Sequence, residues 1–231
     1  MKKRGFILTQ AGCGSKAFTL AETLITLSII GVVAALTMPT LISNYREKVI
    51  LTRLKKAVSV FSQAVQRSFI DNGSVEDWFE GYSDVSAFYG PLFTTYFKPY
   101  VNTIKECDEG AAGCWAYHTK LMNGSNNSWG NNKFGSSVYL FVTNDGMNVT
   151  IDTWSTADCQ NNFNAGTLAA ISRCLVLAVD VNGMQSPNMV GKDTFFFVIT
   201  DKGLVPAGAG SNFANCSESS TGYSCAAKFL Q

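Results

Sequence analysis

The apolar positions along the chain change pattern twice. From Phe18 to Met38 they are nearly continuous, FTLAETLITLSIIGVVAALTM, with hydroxyls and a single carboxylate, Glu22, as the polar members. A helix needs about 20 such residues to cross a bilayer. Beyond Pro39 the run becomes a stripe. Ile50, Leu54, Val58, Phe61, Val65 and Phe69 recur every three or four residues, while Arg46, Arg53, Lys56, Gln63 and Arg67 fill the other faces. That period predicts an amphipathic helix with one buried side. Asp71-Asn72-Gly73 should end it, since Gly73 suits the position just past a helix. Pro39 removes a backbone donor and is expected to bend or loosen the helix.

From residue 73 onward the period shortens. Val138–Thr143 and Asn148–Trp154 flank Asn144-Asp145-Gly146, which reads as a hairpin. Cys174–Val179 and Thr194–Ile199 are two further apolar runs of strand length. The aromatic stretch Phe88, Tyr89, Phe93, Tyr96, Phe97 and Tyr100 predicts one or two short helices, broken around Gly90-Pro91 and ending before Pro99. These rings are expected to be core. Asn123–Ser128 and Gly130-Asn131-Asn132 mark a polar loop. The predicted fold is α+β, with a long N-terminal helix laid on an antiparallel sheet of about four strands. The expected division is 1–17 as a leader, 18–72 as the long helix with 18–38 transmembrane, and 73–231 as a globular head.

Charge narrows the partners. The net charge is +1, from 18 basic and 17 acidic residues, and four of the basic ones, Lys2, Lys3, Arg4 and Lys16, precede the apolar segment. The rest carries 14 basic against 17 acidic residues. A nucleic-acid binder shows a basic footprint, and the body of this chain has none. The basic leader is expected to keep the N-terminus cytoplasmic.

The cysteines fix the other side. Cys13 precedes the apolar segment, while Cys107, Cys114, Cys159, Cys174, Cys216 and Cys225 all follow it. An even set beyond a membrane span predicts disulfides in an oxidising compartment. No pair has C-x-x-C spacing and His118 is the single histidine, which speaks against zinc. Six cysteines allow fifteen connectivities. Short loops cost least to close, which favours Cys107–Cys114, Cys159–Cys174 and Cys216–Cys225.

Glu22 needs a reason to lie in an apolar helix, because a charge at mid-membrane costs about 2.5–3.5 kcal/mol. An ordinary signal peptide has its small-residue cut site after the apolar stretch. Here Ser15 and Ala17 come before it. A cut after Ala17 would free the Phe18 amine, and such an amine on a neighbouring copy would neutralise Glu22. The alternative is a carboxylate that snorkels to the interface.

Lys16-Ala17-Phe18-Thr19-Leu20-Ala21-Glu22 resembles the cleavage and N-methylation motif of type IV pilins and type II secretion pseudopilins. Counting from Phe18, Glu22 is fifth and Pro39 twenty-second, where that family carries glutamate and a helix-bending proline; Ala17 stands where glycine is commonest. The resemblance covers roughly the first 55 residues. It implies cleavage between Ala17 and Phe18 by a prepilin peptidase, methylation of Phe18, and a single-pass wait in the inner membrane with a cytoplasmic N-terminus. It also implies extraction by an inner-membrane assembly platform into a periplasmic or cell-surface filament of like and unlike pilin subunits, with Glu22 as the assembly residue. A membrane-anchored extracytoplasmic binding module that never polymerises is the alternative.

One more segment carries candidate chemistry. Asp180, Asn182, Asn188 and Asp193 bring four oxygen side chains to the stretch between the last two predicted strands. Calcium takes six to eight oxygens, but the spacing is not that of an EF-hand. An Asx-rich turn bonded to its own backbone is the competing reading. No other cofactor is implied. The chain lacks a phosphate-binding loop, H-E-x-x-H and G-x-S-x-G, and no enzymatic activity is expected.

Overall fold

A computed structural model of the protein describes residues 18–79, 89–107, 112–127, 138–155, 157, 159–163, 173–210 and 215–231. The chain falls into two compact units, Met1–Arg46 and Glu47–Gln231. Residues 47–72, the striped half of the predicted long helix, fall in the second unit.

Helix α1 spans Leu20–Asn72 and continues through Pro39. Its first part is long and apolar enough to cross a membrane, as a span or a signal sequence. Its last residues stop as the sequence predicts. Gly73 takes a positive φ of 80° and its N–H donates to the Phe69 carbonyl at 3.1 Å, closing the helix end. The stripe on the second part of α1 is real: Leu54, Phe61 and Val65 are fully buried, and Ile50, Val58 and Phe69 pack against them. Ala57, Ala64 and Ser68 are buried as well; these small residues extend the buried face and let the helix lie close to its neighbours.

The sheet has six strands, not four: β1 (Thr103–Cys107), β2 (Val138–Thr143), β3 (Asn148–Ser155), β4 (Arg173–Asp180), β5 (Thr194–Thr200) and β6 (Gly203–Pro206). They pair antiparallel in chain order. Both faces of the sheet are covered. Phe141, Val149, Ile151, Leu177, Phe195 and Phe197 pack with Leu54, Ala57 and Phe61 of α1. Leu140, Val142, Val176, Ala178, Phe196 and Val198 pack on the other side with Trp115, Phe163 and Ala207. That is why the central strands read as unbroken apolar runs rather than alternating ones.

Gly90 and Pro91 do not break a helix. They lie in the first turn of α2 (Tyr89–Tyr96), where backbone N–H groups have no intrahelical acceptor and proline is tolerated. Leu92, Phe93 and Phe97 are fully buried. Trp78 stacks on Tyr96 at 4.5 Å and Phe93 on Tyr139 at 4.3 Å; Phe93 and Phe97 are core, as expected, and Tyr96 and Tyr100 pack against it half-buried. Phe88, Ser128 and Gly130-Asn131-Asn132 lie outside the described residues. A last helix, α3 (Cys225–Leu230), closes the chain.

Three disulfides join neighbours in sequence: Cys107–Cys114, Cys159–Cys174 and Cys216–Cys225, with Cα–Cα distances of 6.3, 6.7 and 4.8 Å. The first two lie in the cluster on the far face of the sheet from α1. The third joins the cluster beneath α1.

Candidate functional site

Two places concentrate chemistry, and each sits within one compact unit. The first is the start of α1. Ala17 lies outside the described residues; Phe18 is 84% exposed. Thr19 and Glu22 form a reciprocal cap. The Thr19 N–H and hydroxyl both donate to Glu22 Oε2 at 2.8 Å, and the Glu22 N–H donates to Thr19 Oγ1 at 3.2 Å. This satisfies two otherwise orphan donors and sets a carboxylate at the positive end of the helix. Among the described residues no donor reaches Glu22 Oε1, so one oxygen of the carboxylate is left for another partner. The T-x-x-E spacing announces the cap in the sequence.

The same segment has settled its other polar groups internally. Thr23 donates to the Leu20 carbonyl, Thr26 to Glu22, Ser28 to Leu24 and Thr37 to Val33, all at 2.8–2.9 Å. With Thr19 on Glu22, every hydroxyl between residues 19 and 37 is bonded within its own helix. Such a segment can lie in hydrocarbon without leaving a hydroxyl donor unsatisfied.

The second place is the connection between β4 and β5. Asp180 ends β4 and Asp193 precedes β5; both are fully buried. The Asn182 N–H donates to Asp180 Oδ1 at 3.3 Å. The N–H groups of Asn188 and Met189 donate to Asp193 Oδ2 and Oδ1 at 2.7 and 2.6 Å, and Asn182 also reaches Asp193 with its side chain. The four residues read from sequence thus converge, and the Asx-turn reading is correct as far as the backbone goes. It does not account for the side chains. Asn182 Oδ1 and Asn188 Oδ1 are both buried without a partner.

Burial, and then the charge of Asp193, push the Asp180 carboxyl up to about 9. Burial raises Asp193 too, against the pull of its backbone donors. Among the described residues neither carboxylate pairs with a Lys or Arg. Sequence reasoning missed two contributors. Asn148 pairs with Asp180 in register across the sheet, is 3% exposed, and its Nδ2 has no partner. Gly183, at φ 71°, lets the connection pass so close to the β2–β3 turn that a Cβ would meet the Gly146 carbonyl at 2.6 Å. Asn188 also lines a surface cavity with Trp115, Tyr117, His118 and Met184. No three His, Cys, Asp or Glu side chains cluster among the described residues, so a cation here would rest on two carboxylates and neutral oxygens.

A family model described as a family of unknown function (DUF6613) matches residues 40–203. The chain belongs to this family. The DUF6613 match takes in the buried part of α1, strands β1 to β5 and the whole acidic connection. No curated protein and no solved structure matches the chain.

Proposed function

We propose that this DUF6613 protein is a structural subunit of a pilus-like filament, of the type II secretion pseudopilus or type IV pilus kind. The observation that carries the reading is Glu22. It is the single charged side chain of the apolar segment, four residues beyond a small-residue junction, and its Oε1 has no partner within the described chain. A simple anchor needs no carboxylate there. A filament does, because the free amine of Phe18 on the next copy can neutralise it.

In this reading a prepilin peptidase removes residues 1–17 and methylates Phe18. The subunit is held in the inner membrane by residues 18–38, with its disulfide-bonded head on the oxidising side. An assembly platform moves it into a filament with like or unlike subunits. It binds no nucleic acid and catalyses nothing; its work is done by packing. The internal bonding of the segment's hydroxyls supports the reading, since the helix must leave lipid for a filament core.

The test is Glu22→Ala in the full chain, expressed with peptidase and assembly platform. Leader loss and membrane insertion stay intact, because removing a charge favours the bilayer. Sheared filament mass falls by at least about a hundredfold, as deleting one member of a buried ion pair costs about 3–5 kcal/mol. Wild-type filament yield from the variant sinks the reading and favours the anchored binding module. An intact leader on the wild-type protein by mass spectrometry sinks the processing step.

A further inference from the structure

Three stretches of the head meet at one methionine, whatever the filament role of the chain. Met122 stands in the turn between Lys120 and Asn126, which bridge antiparallel. Its N–H donates to the Thr221 carbonyl at 3.1 Å, and its Sδ lies 3.6 Å from Cys225 Sγ. Cys225 is bonded to Cys216, so no hydrogen lies between the two sulfurs. The contact is one between soft, polarisable atoms.

Two glycines make room for it. A Cβ on Gly191 would come within 2.9 Å of Cys225 Sγ and 3.1 Å of Met122 Sδ, and one on Gly222 within 2.9 Å of the Met122 Cβ. The turn, the β4–β5 connection and the C-terminal segment therefore close on this side chain with room for less than a methyl group at either glycine. Cys225 is fully buried and Cys216 is 4% exposed, whereas Met122 packs half-buried against their cluster. Of the three sulfur-bearing residues, Met122 is the one most open to solvent.

We propose that Met122 is an oxidation site whose state governs access to the Cys216–Cys225 disulfide. Hydrogen peroxide is the co-reactant. Its O–O bond breaks, one oxygen is transferred to Met122 Sδ, and the other leaves as water with both protons. The sulfur is oxidised by two electrons to the sulfoxide, the peroxide is reduced, and the disulfide itself is untouched. A sulfoxide is polar and larger by one oxygen, so it fits poorly where a disulfide and two glycines press on the thioether. The sulfur contact with Cys225 is lost, the turn lifts from Gly191 and Gly222, and the disulfide opens to attack by thiolates. The step is reversible, because methionine sulfoxide reductases return the thioether.

The experiment treats the full chain in detergent micelles with hydrogen peroxide and maps the added oxygen by peptide mass spectrometry. Reduction of Cys216–Cys225 by dithiothreitol is then timed by alkylation. Met122 is expected to gain one oxygen, and this disulfide to be reduced about tenfold faster than before treatment. Methionine sulfoxide reductases restore the original rate. Met122→Leu, close in volume and unable to form a sulfoxide, folds with its disulfides formed and is reduced at a rate that peroxide does not change. That variant keeps Met184, which is 47% exposed, so a peroxide response that persists in it overturns the inference. A wild type whose Met122 stays unoxidised while Met184 is converted overturns it too, as does an unchanged reduction rate once Met122 carries its oxygen.

Discussion

Arg53 donates through Nη1 to the carbonyl oxygen of Val181, 3.1 Å away and 128 residues further along the chain. The bond fastens α1 to the first residue of the β4–β5 connection. Lys56, one turn later, adds an ion pair of 2.7 Å to Asp145 in the β2–β3 turn. Two basic residues on the margin of the buried stripe thus read two different turns at one end of the sheet.

Arg53→Ala is expected to destabilise the head by about 1 kcal/mol, the worth of one partly buried hydrogen bond. Thermal unfolding should register a Tm lowered by roughly 3 °C. An unchanged Tm would mean that the guanidinium is solvated and the carbonyl has another donor.

Phe61 separates core from surface on the same helix. It is fully buried and meets Phe141 edge-on at 6.5 Å. Phe61→Ala should cost about 3–5 kcal/mol. Ile70, two and a half turns on, is 83% exposed, and Ile70→Ala should change stability by less than about 0.5 kcal/mol. Chemical denaturation of the two variants side by side checks the contrast.

The acid pair gives the pH dependence a definite sign. An unfolded aspartate titrates near 4, whereas Asp180 in the head holds its proton to about 9 because of burial and the charge of Asp193. Between those limits the folded state binds more protons than the unfolded one. Its contribution is therefore present in full at low pH and is lost as pH rises toward 9. Stability should fall across this window by up to about 1.4 kcal/mol per pH unit. Asp180→Asn should flatten the slope, and a wild type that gains stability from pH 5 to pH 8 would contradict the assignment.

Local chemistry was legible in the sequence wherever one residue type dictates one geometry. The Gly73 stop, the Asp145-Gly146 hairpin, the helix stripe and the three disulfide pairs all follow from such rules. The two edge strands were not. β1, Thr103–Cys107, is mostly exposed and charged, and β6 is four residues ending in Pro206; neither has enough apolar content to signal a strand, and pairing with a neighbour creates each. Gly90-Pro91 misled because proline breaks helix interiors yet fits first turns. At the acidic connection the oxygen-bearing residues were visible, but Asn148 was not, since it reaches Asp180 only through strand register.

The sheet is stacked in the order in which the chain is made. No strand must wait for a later one to be slotted between it and its neighbour, so each hairpin can close as soon as its second half appears. Such a sheet can be laid down strand by strand, with short-range contacts forming early and quickly. The final element to arrive, α3, then locks the series: the Ala227 N–H donates to the Ala207 carbonyl at 3.0 Å, just past the last strand, and Cys225 finds Cys216 nine residues behind it. For a chain that folds as it emerges, serial order shortens the wait of every strand for its neighbour.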